Sequence, residues 1–325
     1  AGLGLAAGLS GISFGLLPET LTGDAAGSMQ AFGLRAQDFL VLFLPPLLFS
    51  AGLHVDVRML MDEVWAVFLL AVVAVVVTTG VVGAALVYIG DFGWIAALLL
   101  GAIIATTDPA AVVAVFRDLG ATKRLRVIVE GESLLNDAAA IALFGALTTL
   151  ALAGTADTAE AVALSALPAI GIGAGVGIAM ARLGWFGFRL LARGPVLETT
   201  FSITIPYLTY VIAEYGLGAS GVIAVAFAGL AMAADGPSRL APGNWRGLLR
   251  LWNWIEFVVV SIVFLLSAIL AARLILSLAV EGWAICILVF VAALAARALV
   301  LYGLLPLLTA AGLAQGISTR FKAVI

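Results

Sequence analysis

From Val64 to Tyr88 the chain reads VWAVFLLAVVAVVVTTGVVGAALVY, without one charged residue. As an α-helix rising about 1.5 Å per residue, a run of this length exceeds the roughly 30 Å hydrocarbon core of a bilayer. It is one of ten comparable stretches, at roughly 1–17, 38–54, 64–88, 94–116, 127–152, 162–190, 198–214, 218–235, 251–276 and 283–309. Lipid offers no partner to a backbone N–H or C=O, so each stretch must satisfy its polar groups internally, as a helix does. The joins are short, as in a packed bundle. The chain therefore reads as an all-α polytopic membrane protein, with 1–325 forming one transmembrane domain.

Composition agrees. Of the 325 residues, 64 % are hydrophobic and only 11 % charged, against about 25 % charged in soluble chains. Mean hydropathy is +1.21. With a net charge of −3 and without a basic tail, the sequence gives no footing for nucleic acid. The one cysteine, Cys286, has no partner for an internal disulfide.

Basic residues orient the bundle. Numbered from the first, the even connections carry Arg58, then Arg117, Lys123, Arg124 and Arg126, then Arg193 beside Arg189, then Arg239, Arg246 and Arg250. The odd connections hold acids such as Glu19, Asp24, Asp91, Asp157 and Glu160, with only Arg35 and Arg273 near them. The even side is thus expected to be cytoplasmic, including the basic loops at 117–126 and 239–250. A missed helix would scramble this alternation.

Ionisable groups inside membrane segments are costly and mark function by default. Asp108 sits in GAIIATTDPAAVVAVF. Pro109 cannot donate a backbone hydrogen bond and disfavours helical geometry at the residue before it. A helix break at Thr107–Pro109 is expected, exposing carbonyls at one half-helix end and amides at the other, as in transporter ion sites. The competing reading is a proline kink in which Asp108 caps the second half-helix.

The next segment contains VEGESLLNDAAAIALF. Ser133, Asn136 and Asp137 fall at i, i+3 and i+4 and share a face. A carboxylate, an amide oxygen and a hydroxyl are hard ligands suited to a monovalent cation rather than a transition metal. Asp137 is best placed to exchange a proton for a cation: burial favours a protonated carboxyl and a bound cation the carboxylate. Interhelical hydrogen bonding is the plainer reading of the same groups. Arg297, mid-segment, needs a countercharge. Glu132 is the expected partner in a structural ion pair, and Asp137 is the other possibility.

These two stretches, with FLPPLLFSAGL, TTFSITIPYLTYVIAEYGLGASGVIAVAFAGL and ARALVLY, resemble the sodium/proton exchangers of the NhaP/NHE type over nearly the whole chain. The resemblance implies an inverted-repeat antiporter fold with core and dimerisation domains, a homodimer in lipid, and alternating access by movement of the core. It implies a secondary active transporter, not an enzyme, that exchanges Na⁺ or K⁺ for H⁺ in pH homeostasis at the plasma membrane, with no cofactor. Asp137 would bind cation or proton, beside Asn136, Ser133, Thr107 and Asp108, with Asp137, Ser133 and Thr107 as cation ligands. Glu132 and Arg297 would brace the core. Asn136, where some members have aspartate, matches electroneutral exchange. Ser50, counted with these cation/proton-binding residues, stands where many members have a glutamate that contributes to the site, so the ligand set, the affinity and the choice between Na⁺ and K⁺ turn on it. A complete member would have about thirteen helices, so the chain reads as lacking the family's first and last. A proton-uncoupled cation channel or uniporter and a non-transporting membrane sensor are the alternatives on the same scaffold.

Three smaller features remain. GASG at 218–221 matches the serine motif of rhomboid proteases, but the only histidine, His54, is expected at the opposite membrane face. Gly171 and Gly175, and Gly173 and Gly177, have the spacing of close helix contacts. Glu256, near the start of its segment, is expected to line an access funnel.

Overall fold

A computed structural model describes residues 36–107, 112–113, 115–116, 120, 122–153, 159–190, 194–304 and 306. The described elements are all helical: α1 (Ala36–His54), α2 (Val57–Asp62), α3 (Val64–Tyr88), α4 (Trp94–Ile104), α5 (Lys123–Ala153), α6 (Ala159–Leu190), α7 (Pro195–Val211), α8 (Gly221–Arg239), α9 (Pro242–Ser277) and α10 (Val280–Ala298). Two π-helical stretches, Ile212–Gly216 and Leu299–Leu304, continue α7 and α10.

Among the described residues, six helices are long and apolar enough to cross a membrane, within α3, α6, α7, α8, α9 and α10. α5 carries Glu130, Glu132, Asn136 and Asp137 within an otherwise largely apolar stretch. Such a helix needs protein rather than lipid around its polar faces. α5 packs against α1, α2, α3, α4, α6 and α8. By contrast α9 turns Trp254, Phe257, Phe264 and Leu265 outward, all exposed.

Close packing in lipid relies on small residues, since lipid tails are as apolar as leucine. α8 shows this. A Cβ on Gly177 of α6 would lie 2.1 Å from the Ala224 carbonyl oxygen, and one on Gly173 2.7 Å from that of Ser220. Gly229 of α8 meets α1 in the same way, 2.6 Å from the Phe49 carbonyl oxygen. Of the two glycine pairs in α6, Gly173 and Gly177 therefore face α8, while Gly171 and Gly175 meet open space.

Two stretches bear on the expected segments, the first interrupted next to the expected break and the second different from what was expected. The segment expected at 94–116 is interrupted: α4 stops at Ile104, Ala105–Thr107 are not helical, and the chain is helical again at Val112 and Val113. Asp108 and Pro109 lie outside the described residues. The stretch 239–250, expected as a loop, is mostly helix: α8 ends at Arg239 and α9 begins at Pro242. Proline is favoured in a first helical turn, where its missing N–H has no partner to lose.

The end of the bundle where α5 starts is the basic one. Lys123 donates to Asp56 at 2.5 Å, and Arg124 forks onto Glu63 of the α2–α3 junction. Asp56 also caps α2, accepting from the Met59 amide. Chiefly through the Lys123 hydrogen bond, its carboxyl is held below the ordinary value of 3.8.

Candidate functional site

Thr107, beyond the end of α4, is not helical, and its carbonyl and hydroxyl need partners. α5 supplies them. Ser133 Oγ donates to the Thr107 carbonyl at 2.7 Å, and Asn136 Nδ2 donates to Thr107 Oγ1 at 2.8 Å. One face of α5 is thus hydrogen-bonded to the interrupted chain. Ser133 and Asn136 are both buried, Asn136 to within 1 %. The Asn136 Oδ1 atom is buried and accepts no hydrogen bond from the described residues. An unsatisfied buried acceptor costs on the order of 1–3 kcal/mol, and a hard amide oxygen of this kind is suited to an alkali cation.

Asp137, half-buried, faces a cavity of about 860 Å³. Leu44, Ile103, Thr106, Tyr210, Glu214 and Ser220 also line it. The cavity runs from the middle of α5 towards the 218–220 connection, the opposite end of the bundle from Lys123 and Arg124. Asp137 therefore has water-sized space on one side and the hydrogen-bonded Thr107–Ser133–Asn136 layer beside it. Asp108 lies outside the described residues.

Sequence inspection passed over Glu214. It sits in the π-helical stretch, on the cavity wall, and accepts from the Gly221 amide at 2.8 Å. π-helical turns are frequent at functional sites. The available signal was a glutamate at the end of an apolar span, next to GLGASG.

Glu132 leaves α5 on another face. Arg297 donates to it through both terminal nitrogens, at 2.7 and 3.1 Å. Side-chain exposure is 20 % for Arg297 and 6 % for Glu132. Of the two partners the sequence left open for Arg297, the guanidinium forks onto Glu132. Arg297 lies in the last turn of α10, just ahead of its π-helical continuation.

Ser50 is fully buried but is not among the residues that line the cavity with Asp137. Its hydroxyl donates to Glu256 Oε2 of α9 at 2.5 Å. His54, one turn on, bonds through Nδ1 to the Ser50 carbonyl at 2.8 Å. Ser220 caps α8, accepting from the Ile223 amide at 3.4 Å. The serine and histidine needed for a protease thus have separate local duties.

Known proteins give a consistent picture. A family model described as "Sodium/hydrogen exchanger, transmembrane" matches residues 3–325. The Na⁺/H⁺ antiporter ApNhaP of Aphanothece halophytica is 38 % identical over 267 residues, covering 78 % of this chain and 50 % of its own. Sodium/hydrogen exchanger 7 of Arabidopsis thaliana is 33 % identical over 279 residues, covering 83 % of this chain and 24 % of its own. The chain thus spans half or less of the length of these relatives. The solved structure of the sodium proton antiporter MjNhaP1 from Methanocaldococcus jannaschii at pH 8 superposes with a TM-score of 0.69 at 18 % identity. That match covers 99 % of this chain and 79 % of the other, and it is a likeness of fold.

Proposed function

Because this chain belongs to the sodium/hydrogen exchanger family, we propose that it exchanges Na⁺ or K⁺ for H⁺ across a membrane, with Asp137 as the group both ions share. The family is one of transporters rather than enzymes. The observation that carries the reading is the position of Asp137: a carboxylate at mid-bundle, on a cavity wall, beside an interrupted helix.

Competition at one carboxyl couples the two ions. A protonated Asp137 has given up its charge and cannot hold a cation. A cation on the carboxylate excludes the proton, since each ion favours the state the other removes. The Thr107 oxygens, Ser133 Oγ and Asn136 Oδ1 are the neutral oxygens that replace water around the dehydrated ion. Asn136 adds no charge of its own. With one titrating carboxylate, one proton moves for each cation and exchange is electroneutral. Ser50, buried against Glu256, tunes the choice between Na⁺ and K⁺ from outside the immediate oxygen cage.

The cavity reaches Asp137 from the end opposite the basic residues. If the basic end is cytoplasmic, this is the outward-facing half of an alternating-access cycle. The core then moves against a dimerisation domain within a homodimer in the plasma membrane, and the exchange serves pH homeostasis. Glu132 and Arg297 keep α5 and α10 together through that movement. Thr107, hydrogen-bonded to Ser133 and Asn136, moves with α5.

Purified protein in proteoliposomes tests the proposal. A pH-sensitive dye inside the vesicles is followed as Na⁺, K⁺ and Li⁺ are added in turn. The expected result is cation-driven proton flux that is insensitive to membrane potential. Cation flux without proton movement would indicate a channel or uniporter, and cation binding without flux a sensor; either would overturn the proposal.

A further inference from the structure

The transport reading uses Asp137 and leaves a second carboxylate within a candidate span unexplained. Glu256 lies in the apolar stretch Pro242–Ile269, is half-buried, and carries no countercharge among the described residues. Such a group is expensive in a membrane unless it serves a purpose. Its one hydrogen-bond partner among the described residues is Ser50, at 2.5 Å across the α1–α9 contact. Ser50 is 0 % exposed. The same serine faces His54, the only histidine in the chain. His54 Nδ1 is 2.8 Å from the Ser50 carbonyl and 3.4 Å from the Ser50 hydroxyl. His54 is exposed at the C-terminal end of α1, the end next to the Asp56–Lys123 pair.

Resting on the antiport reading, we propose that His54, Ser50 and Glu256 form a proton relay serving the end of the protein opposite the cavity. With Nδ1 donating to the Ser50 carbonyl, neutral His54 carries its lone pair on Nε2, which is exposed to take a proton. The transfer balances. A proton lands on Nε2, Nδ1 passes its own proton to Ser50 Oγ, and Ser50 passes its hydroxyl proton to Glu256 Oε2. One proton enters and one arrives on Glu256. The return step restores the tautomer. Ser50 is the positioning residue, because its hydroxyl alone bridges the exposed ring and the half-buried carboxyl.

The other charged and titratable groups on the elements packed against α9 are placed elsewhere. On α7, Glu198 is held by Asn244, Tyr207 donates to the Leu42 carbonyl, and Tyr210 lies on the cavity wall. On α8, Asp235 is taken by Arg239 and Arg182. On α1, Asp38 sits at the far end from His54. On α9 itself, Arg246 bonds the Pro242 carbonyl, and Arg250 lies between it and Glu256 in the chain.

The experiment measures cation-driven exchange against pH in proteoliposomes for the wild type, H54Q, E256Q, S50A and S50A/E256Q. Removing a proton-collecting group makes the protein need a higher proton concentration. Each single variant is therefore expected to move the pH of half-maximal exchange towards acid by about 0.5–1 unit, one unit being tenfold in protons. The double variant is expected to move it no further than E256Q, because the two residues act in series. Profiles of unchanged midpoint, whatever happens to the maximal rate, would overturn the relay, since a packing defect lowers the rate without moving the pH. An additive double variant would overturn it too. A wild type without exchange would instead refute the antiport reading itself. Should E256Q not fold, H54Q lies on the exposed helix end and carries the same midpoint criterion.

Discussion

Two carboxylates of one helix, Glu132 and Asp137, are treated oppositely. Glu132 is 4 % exposed, and both its oxygens are taken by the fork of Arg297. Asp137, little more than a turn further on, looks into open volume and lies next to a layer of neutral oxygens around Thr107. A carboxylate whose charge is cancelled by a fixed guanidinium is a fastener. One that faces water-sized space beside uncharged oxygens has the surroundings that the proposed exchange requires. The contrast comes from what each helix face meets, not from the residue type.

Neutralising each carboxylate in turn is the harshest way to break this contrast. Asp137→Asn is expected to reduce cation-driven proton flux to that of empty liposomes while leaving the melting curve close to wild type. If D137N still couples the ions, Asp137 is not the shared site. The partner experiment concerns the fastener. Arg297→Ala leaves Glu132 as a buried charge with no guanidinium, and breaking such a pair costs about 3–5 kcal/mol. Replacing both, as E132M/R297L, removes the uncompensated charge and is expected to recover most of that loss. Thermal unfolding in detergent reads both. Equal destabilisation by the single and double variants would mean that the pair contributes through packing alone.

How far the two faces were visible beforehand follows from how local their signals are. The interruption after Ile104 is local, because Thr-Thr-Asp-Pro carries its own reason to leave the helix. The helical segments were also legible, since length and apolarity act within one stretch of chain. α5 was recognisable as unusual from its own polar residues. Contacts between distant helices were not determined in this way. Arg297 had two candidate partners in sequence, and only the relative rotation of α5 and α10 selects Glu132. Ser50 and Glu256 lie 206 residues apart, and no periodicity links them. Glu214 owes its place on the cavity wall to a π-helical register that the apolar pattern of α7 does not announce.

A gentler probe sharpens the Asp137 side. Ser133→Ala removes the donor to the Thr107 carbonyl. It also removes one neutral oxygen from the proposed cage, without touching Asp137. Taking the ion–dipole contact as comparable to a hydrogen bond to a charged group, about 1.5–3 kcal/mol, the apparent cation affinity is expected to fall by roughly tenfold or more. The maximal rate should change far less. Titrating flux against cation concentration separates the two. A fall in maximal rate at constant apparent affinity would instead assign Ser133 to the stability of the helix break.

The weakest expected effect lies at the basic end of α5, where another acid–base contact resembles the Glu132 pair in chemistry and differs from it in exposure. Lys123 and Asp56 meet at 2.5 Å, but their side chains are 61 % and 32 % exposed. Water and salt screen such a pair, so Lys123→Gln is expected to cost at most about 0.5 kcal/mol. Its pH dependence has a definite sign. The Asp56 carboxyl is held below 3.8 in the folded protein, first by the Lys123 hydrogen bond. The folded state thus releases this proton more readily than the unfolded chain, and the pair contributes fully above the unfolded value. The contribution fades as pH falls below 3.8 towards the lower folded value. The melting temperatures of wild type and K123Q should therefore differ slightly at neutral pH and converge in acid. A gap that widened in acid would mean that Lys123 stabilises the protein through some group other than Asp56.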